Sequence, residues 1–241
     1  MRKIKITLFP LLFTALILIN LHSAYAWHDE THLATAKAAG YLKWYNAAGA
    51  DIAKLKAGRT EMNNHFFDNP KGISITPGMV LKQAERYNKR EDREGHLYGA
   101  IIASIRNYLT TFHKGKYAEY HLAYCAHYVG DLSQPLHNMP YDDFNKIHHS
   151  GFDGTVEDEV LRNIKHIRRY MYPIKLGAQT FEKDLAGEIA RIANVSRQLG
   201  KKLRRENRLL TREEAYRQLG HSASLLKAIL GYLEKVKHPH Q

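Results

Sequence analysis

Between Tyr117 and Leu132 the chain is apolar around most of a helical circumference, the composition of a helix surrounded by others. His127 and Asp131 sit inside that run at i and i+4, so they project from one face, one turn apart. Pro135 ends or kinks the helix, because it cannot donate a backbone bond back to Asp131 and it restricts Gln134. His137 follows the break, where a turn in the chain can aim it at a different metal from the one Asp131 holds. His149 and Asp153 then repeat the i, i+4 pairing. One His-x3-Asp pair on a helix is ordinarily two solvated neighbours. Two pairs joined by a third histidine in the short stretch from His127 to Asp153 argue for a metal site. Imidazoles and carboxylates suit zinc, which accepts nitrogen and oxygen ligands and keeps a position open in catalytic sites.

The amino terminus reads as a secretory signal peptide over residues 1–26. Arg2, Lys3 and Lys5 form a positive region, Ile6 to Leu21 is uncharged and mostly apolar, and Ala24-Tyr25-Ala26 is an A-x-A cleavage site. An uncleaved membrane anchor is the competing reading, since the apolar run is near the lower length limit for a spanning helix. Cleavage leaves Trp27 as the first residue, with a free α-amine of pKa about 7.7–8.0 that a divalent cation can hold deprotonated as a ligand. The mature chain would be secreted or periplasmic. Cys125 is the single cysteine, so no disulfide can form within the chain.

Trp27, His65-Phe-Phe-Asp68, His127-Tyr-Val-Gly-Asp131-x5-His137 and His149-x3-Asp153 together resemble the zinc-dependent phospholipase C and S1/P1 nuclease superfamily. The resemblance runs in motifs from Trp27 to about Asp153. It implies an all-helical domain with three zinc ions at the base of a cleft. One zinc would be held by His65, His127, Asp131 and an upstream aspartate. Its close neighbour would be held by Trp27, His32 and a bridging Asp131. The third would be held by His137, His149 and Asp153. Asp51 is the first choice for the upstream aspartate, since its separation from His65 and its setting in Gly49-Ala-Asp-Ile52 match the family pattern; Glu61 is the competing carboxylate. The resemblance also implies that Asp51 orients or deprotonates the attacking water.

Length and patterning agree with one domain over residues 27–241. The chain left after cleavage, Trp27 to Gln241, is long enough to bury a full core, and a hydrophobic share of 44% in the whole chain excludes disorder. Helical signals recur along the chain and strand signals are scarce. They predict helices from Thr31 to about Asn46, from Pro77, from Leu97 to Leu109, and from Tyr117 to Leu132. Further helices are expected over Gly154–Met171, from Phe181 to about Arg205, and after a Thr211/Glu214 capping box. The expected architecture is an all-α single-domain bundle of about seven helices with a trinuclear zinc cleft.

Three zinc ions and three aspartates leave a net charge of roughly +3 at the floor of a basic protein, a field that attracts phosphate esters. Removing residues 1–26 takes away three cations, so 33 Lys and Arg remain against 24 Asp and Glu. Two zincs about 3.5–4 Å apart can share a hydroxide at neutral pH, the expected nucleophile for in-line attack on a phosphodiester. The resemblance divides on substrate. Glu30 stands where choline-lipid phospholipases place a headgroup carboxylate, but Ile52 and Met62 occupy the positions of its aromatic partners. The nuclease branch places a histidine where His32 stands and stacks a base on the aromatic at Phe66. Glycerophospholipid is the favoured substrate, with transient membrane-surface contact, and single-stranded nucleic acid is the alternative. A zinc-binding helical protein without turnover is the remoter reading. Cys125 reads as a small buried hydrophobe, and His96, His113, His166 and His221 as surface or satisfied histidines.

Overall fold

Helix α1, Asp29–Ala39, carries Asp29 and Glu30 in its first turn, where they favour the helix dipole. It stops at Gly40, whose φ of 87° supplies the left-handed cap that no β-carbon would favour. The helix predicted to reach about Asn46 therefore ends early, at Ala39. Trp44–Asn46 forms a separate 3-10 turn. The computed structural model describes residues 27–114 and 116–238, so the predicted signal peptide lies outside the described residues.

The remaining helices are α2 (Gly49–Ala57), α3 (Arg59–Met62), α4 (Pro77–Ala84), α5 (Leu97–Thr111) and α6 (Lys116–Leu132), followed by α7 (Asp143–Asp153), α8 (Ile164–Arg169), α9 (Phe181–Glu206) and α10 (Arg212–Lys237). Among the described residues there is no strand, and the fold is all-α. Thr76 accepts from the Met79 backbone ahead of Pro77, and Thr211 with Glu214 makes the predicted capping box of α10. Helix α6 packs against α1, α2, α5, α9 and α10, which makes it the central helix. Its Cys125, Tyr128, Val129 and Leu132 are fully buried. No described helix is long and apolar enough to cross a membrane.

Ten α-helices stand among the described residues instead of about seven. Helices α2, α3 and α7 are the additional ones, and each is short or polar. The predicted helix over Gly154–Met171 is broken up. Gly154 caps α7, a 3-10 turn covers Val160–Arg162, and only Ile164–Arg169 is α-helical. The Asn163 side chain donates to the Glu159 carbonyl at 3.0 Å, taking an acceptor that a continuous helix would use.

Candidate metal centre

Helix α6 sets the centre by burying His127 and Asp131 completely. Neither could sit there without polar partners, because a buried ionisable group costs several kcal/mol when unpaired. The His127 Nδ1 donates to the Ala47 carbonyl at 2.8 Å, so its Nε2 lone pair turns toward the carboxylates. That Nε2 lies 3.3 Å from Asp131 Oδ2 and 3.5 Å from Asp51 Oδ1. His65, just beyond α3, brings Nδ1 to 2.9 Å from Asp131 Oδ2 and 3.8 Å from Asp51 Oδ1. From α1, His32 stacks its ring on His127 with centroids 3.6 Å apart and places Nε2 at 3.4 Å from Asp131 Oδ1.

Gly130 makes room for that stack. A β-carbon there would meet His32 Nδ1 at 2.5 Å. Gly130→Ala is therefore expected to push His32 off α6, at a cost of about 1–3 kcal/mol in overpacking. The thermal midpoint should fall, and any metal held through His32 should be lost. Full metal content in Gly130→Ala would show that His32 is not a ligand.

The third group lies after the break at Pro135. His137 sits on the 3-10 turn Pro135–Asn138, which the Gln134 side chain caps by accepting from the Leu136 and His137 backbone amides. Helix α7 is capped by Asp142, whose carboxylate accepts from Asn145 N at 3.2 Å, and it brings His149 and Asp153 inward. The His149 Nδ1 donates to Asn145 Oδ1 at 2.6 Å, which leaves its Nε2 facing His137 Nε2 at 3.1 Å. Asp153 Oδ2 is 3.5 Å from His149 Nε2, while Asp153 Oδ1 accepts from the Gln134 amide at 2.6 Å. His137 Nδ1 is also 3.5 Å from Asp131 Oδ1.

Three convergent donor sets result: His32, His127 and Asp131; Asp51, His65 and His127; and His137, His149 and Asp153. Within each, the nitrogen and oxygen atoms lie within 4.8 Å of one another, and each set could hold a metal ion. Several of these atoms are buried without a hydrogen bond among the described residues, including both ring nitrogens of His32, Asp131 Oδ1, His137 Nδ1 and Asp153 Oδ2. Leaving buried polar atoms so costs about 1–3 kcal/mol each, and a cation would satisfy them. The donor set fits a divalent metal of the zinc type better than a hard oxygen-seeking ion.

Burial and mutual charge shift the titration of these groups in opposite directions. Burial opposes ionisation of Asp131, yet His127, His137 and His32 keep it well below the usual carboxylate range. Burial also opposes a charge on His127, but Asp51 and Asp131 together raise it to about 10. Burial lowers His137 to about 4 and lowers His149 as well. Burial pushes Asp153 well above the usual carboxylate range.

The structure brings together Asp51, His65, His127, Asp131 and His32, and sets His137, His149 and Asp153 beside them. Glu61 lies on the outer side of His65, 3.3 Å from Nε2, where Tyr128 donates to it at 2.5 Å. It buttresses His65 while Asp51 faces the centre. Trp27 is fully buried and donates its indole N–H to the Gly130 carbonyl at 3.1 Å, next to Asp131. Phe66 is half-buried and lines a cavity of about 180 Å³ with Met62, Asp68, Arg93, Tyr141 and His149. Glu30 is exposed on α1 and does not line that cavity. Cys125 is buried, its thiol pushed up to about 12 by burial. His96 is buried too and satisfied by Asp92 and Asn64, each at 2.8 Å.

Lys54 is a residue that the sequence reading missed. Its ammonium pairs with Asp51 Oδ1, and only 9% of its side chain is exposed. The signal was its place three positions after Asp51, on one face of a helix that the periodicity did not reveal. Gln134 and Asn145 were missed for a related reason, because amides that orient ligands have no spacing of their own. Comparison with protein-family models, with curated proteins and with solved structures found no match to this chain.

Proposed function

We propose that this chain is a zinc-dependent phosphodiester hydrolase of the phospholipase C type, related to the S1/P1 nuclease superfamily. One observation carries the reading. The two oxygens of Asp131 face different partners, Oδ2 toward His65 and His127, and Oδ1 toward His32 and His137. A buried carboxylate with both oxygens committed in this way suits a bridge between two ions, which a purely structural site does not need. His65, His127, Asp51 and Asp131 would hold one zinc, and His32, Asp131 and the Trp27 terminus a second. His137, His149 and Asp153 would hold the third.

Bound zinc supplies Lewis-acid polarisation of a phosphoryl oxygen and activation of water at neutral pH. The remaining work falls to the chain. Asp51 orients the water and accepts its proton. Lys54, within the same ion pair, offers its ammonium to a non-bridging phosphoryl oxygen. The buried walls around His127 and Asp131 exclude bulk water, which strengthens each of these contacts.

Glycerophospholipid is the proposed substrate, cleaved on the diacylglycerol side of the phosphate. Ile52 and Met62 offer no aromatic face to a quaternary ammonium, and cation–π contacts contribute about 0.5–2 kcal/mol each. Phosphatidylcholine should therefore be preferred only weakly over phosphatidylethanolamine. A second reading has its own support, since Phe66, Tyr141 and Asp68 line one small cavity beside His149 and could stack and bind a nucleobase. The test measures zinc per chain and chelator-sensitive hydrolysis of a chromogenic phosphodiester, then sets the two phospholipids beside single-stranded DNA and RNA. Diacylglycerol release supports the proposal; nucleotide release without it establishes the nuclease. One tightly held zinc and no turnover would make the chain a non-catalytic binder.

The Trp27 terminus gives a separate expected result, resting on export and cleavage after Ala26. A protein carrying extra residues ahead of Trp27 should lack one zinc and most activity, because an amide nitrogen is a poor ligand. Equal zinc and turnover in the extended protein would remove Trp27 from the ligand set.

A further inference from the structure

We propose that the outer face of α2 and the turn before it form a docking surface for an anionic lipid bilayer. The proposal deepens the phospholipase reading by naming how the substrate is presented. Between Leu42 and Leu55, four large apolar side chains stand out into solvent: Leu42 is 90% exposed, Tyr45 59%, Ile52 63% and Leu55 87%. Single exposed apolar residues are ordinary on a soluble surface, but a run of them on one segment marks an interaction site. Helix α2 has only Ala50 buried, so its packing with the core does not require Ile52 or Leu55.

The same segment is cationic. Between residues 40 and 60 the single acidic residue is Asp51, which is turned into the metal centre. Lys43, Lys56 and Arg59 are exposed, with Lys43 3.4 Å from Glu119. Apolar side chains with basic neighbours match the acyl boundary and the negative headgroups of an anionic bilayer. A second copy of this chain would bring like charges together on its own matching face, which disfavours a symmetric dimer there.

Position ties the face to the site. Leu55 follows Asp51 at i+4, with β-carbons about 5–6 Å apart on a helix. The lip that would enter the bilayer is thus one turn from the carboxylate that faces the substrate phosphate. Insertion would bring the headgroup layer, where the scissile phosphate lies, level with the centre. A freely dissolved substrate would have no use for that lip.

The test is co-sedimentation of the zinc-loaded protein with vesicles of phosphatidylcholine, with and without phosphatidylglycerol. The protein is expected to bind the anionic vesicles in a salt-sensitive way. The double substitution Leu42→Ser, Leu55→Ser should weaken binding roughly tenfold or more, because it removes the two most exposed apolar side chains of the segment. Lys56→Gln and Arg59→Gln should each cost roughly fivefold on anionic vesicles. Hydrolysis of a soluble chromogenic phosphodiester should be unchanged in the serine double variant, which shows the fold and centre intact. Wild-type protein that stays in solution with both vesicle types overturns the proposal. So does equal binding by the serine variant, or a dimer that the serine substitutions dissociate. Vesicle binding without lipid hydrolysis leaves the docking surface standing and removes the phospholipase reading. Equal diacylglycerol release by wild type and serine variant removes the docking surface alone.

Discussion

On the proposed trinuclear zinc centre, Asp131→Asn is expected to abolish nearly all activity and to remove two of the three proposed ions. His32, His65, His127 and His137 all lie within 3.5 Å of one or the other Asp131 oxygen. The amide keeps the size of the carboxylate but carries no charge, and its nitrogen cannot serve as a ligand. Removing one partner from a buried charged network costs about 3–5 kcal/mol. Applied to the transition state, that is a loss of roughly 10²–10⁴ in rate. His137→Ala touches one donor set only and should release a single zinc, leaving the other two partly occupied. Metal analysis and kcat/KM on a soluble phosphodiester, measured for both variants, separate the cases. Wild-type zinc and turnover in Asp131→Asn would refute the bridging role.

The clustered histidines and aspartates were legible in the sequence where helical spacing displays them. His127 and Asp131, then His149 and Asp153, stand at i, i+4, and the structure buries both pairs facing inward. Apolar periodicity found the helices that build the core, such as α5, α9 and α10. It missed α2, α3 and α7, which carry or lead into Asp51, His65, His149 and Asp153. The reason is physical. Helices α2 and α3 are short and bury only Ala50 and Glu61 respectively, so they offer almost no apolar periodicity to read. Close approaches were hidden as well. Gly130 reads as a helix weakness until His32 is seen against it. Within the supporting shell, Lys54 with Asp51, Glu61 with His65 and Asn145 with His149 are neighbours at i, i+3 or i, i+4, while Gln134 reaches Asp153 from a separate element; none of these residue types announces a role by spacing alone. Exposure is equally invisible to spacing: Glu30 is exposed on α1 and Phe66 is half-buried in a small cavity.

Zinc withdrawal should cost more stability than any single substitution, and the cost should grow with pH. At free zinc a thousandfold above each dissociation constant, each ion stabilises the folded chain by about 4 kcal/mol, or about 12 kcal/mol for three. For a chain of this size, each kcal/mol moves the thermal midpoint by about 2–4 °C, so chelation should lower it by tens of degrees. The pH dependence follows from which protons must leave. In the metal-free centre burial pushes Asp153 well above the usual carboxylate range, and Asp51 and Asp131 raise His127 to about 10. Metal binding needs an ionised Asp153 and a bare His127 Nε2, so zinc uptake releases protons and strengthens as pH rises. The metal-free protein changes in its own right. His127 has a raised pKa, so its contribution is complete below about 6.5 and is lost as pH rises through about 10. His137 is lowered to about 4, so its contribution is present above about 6.5 and is lost as pH falls toward that value. Asp131 is lowered too, and its contribution disappears only in stronger acid. Thermal midpoints with zinc and with chelator, compared at about pH 5, 6.5 and 8, should therefore diverge toward the alkaline end. Calorimetric zinc titrations in buffers of different ionisation enthalpy should show net proton release near neutrality. A midpoint difference that is constant, or that widens on acidification, would mean that Asp153 and His127 are not ligands.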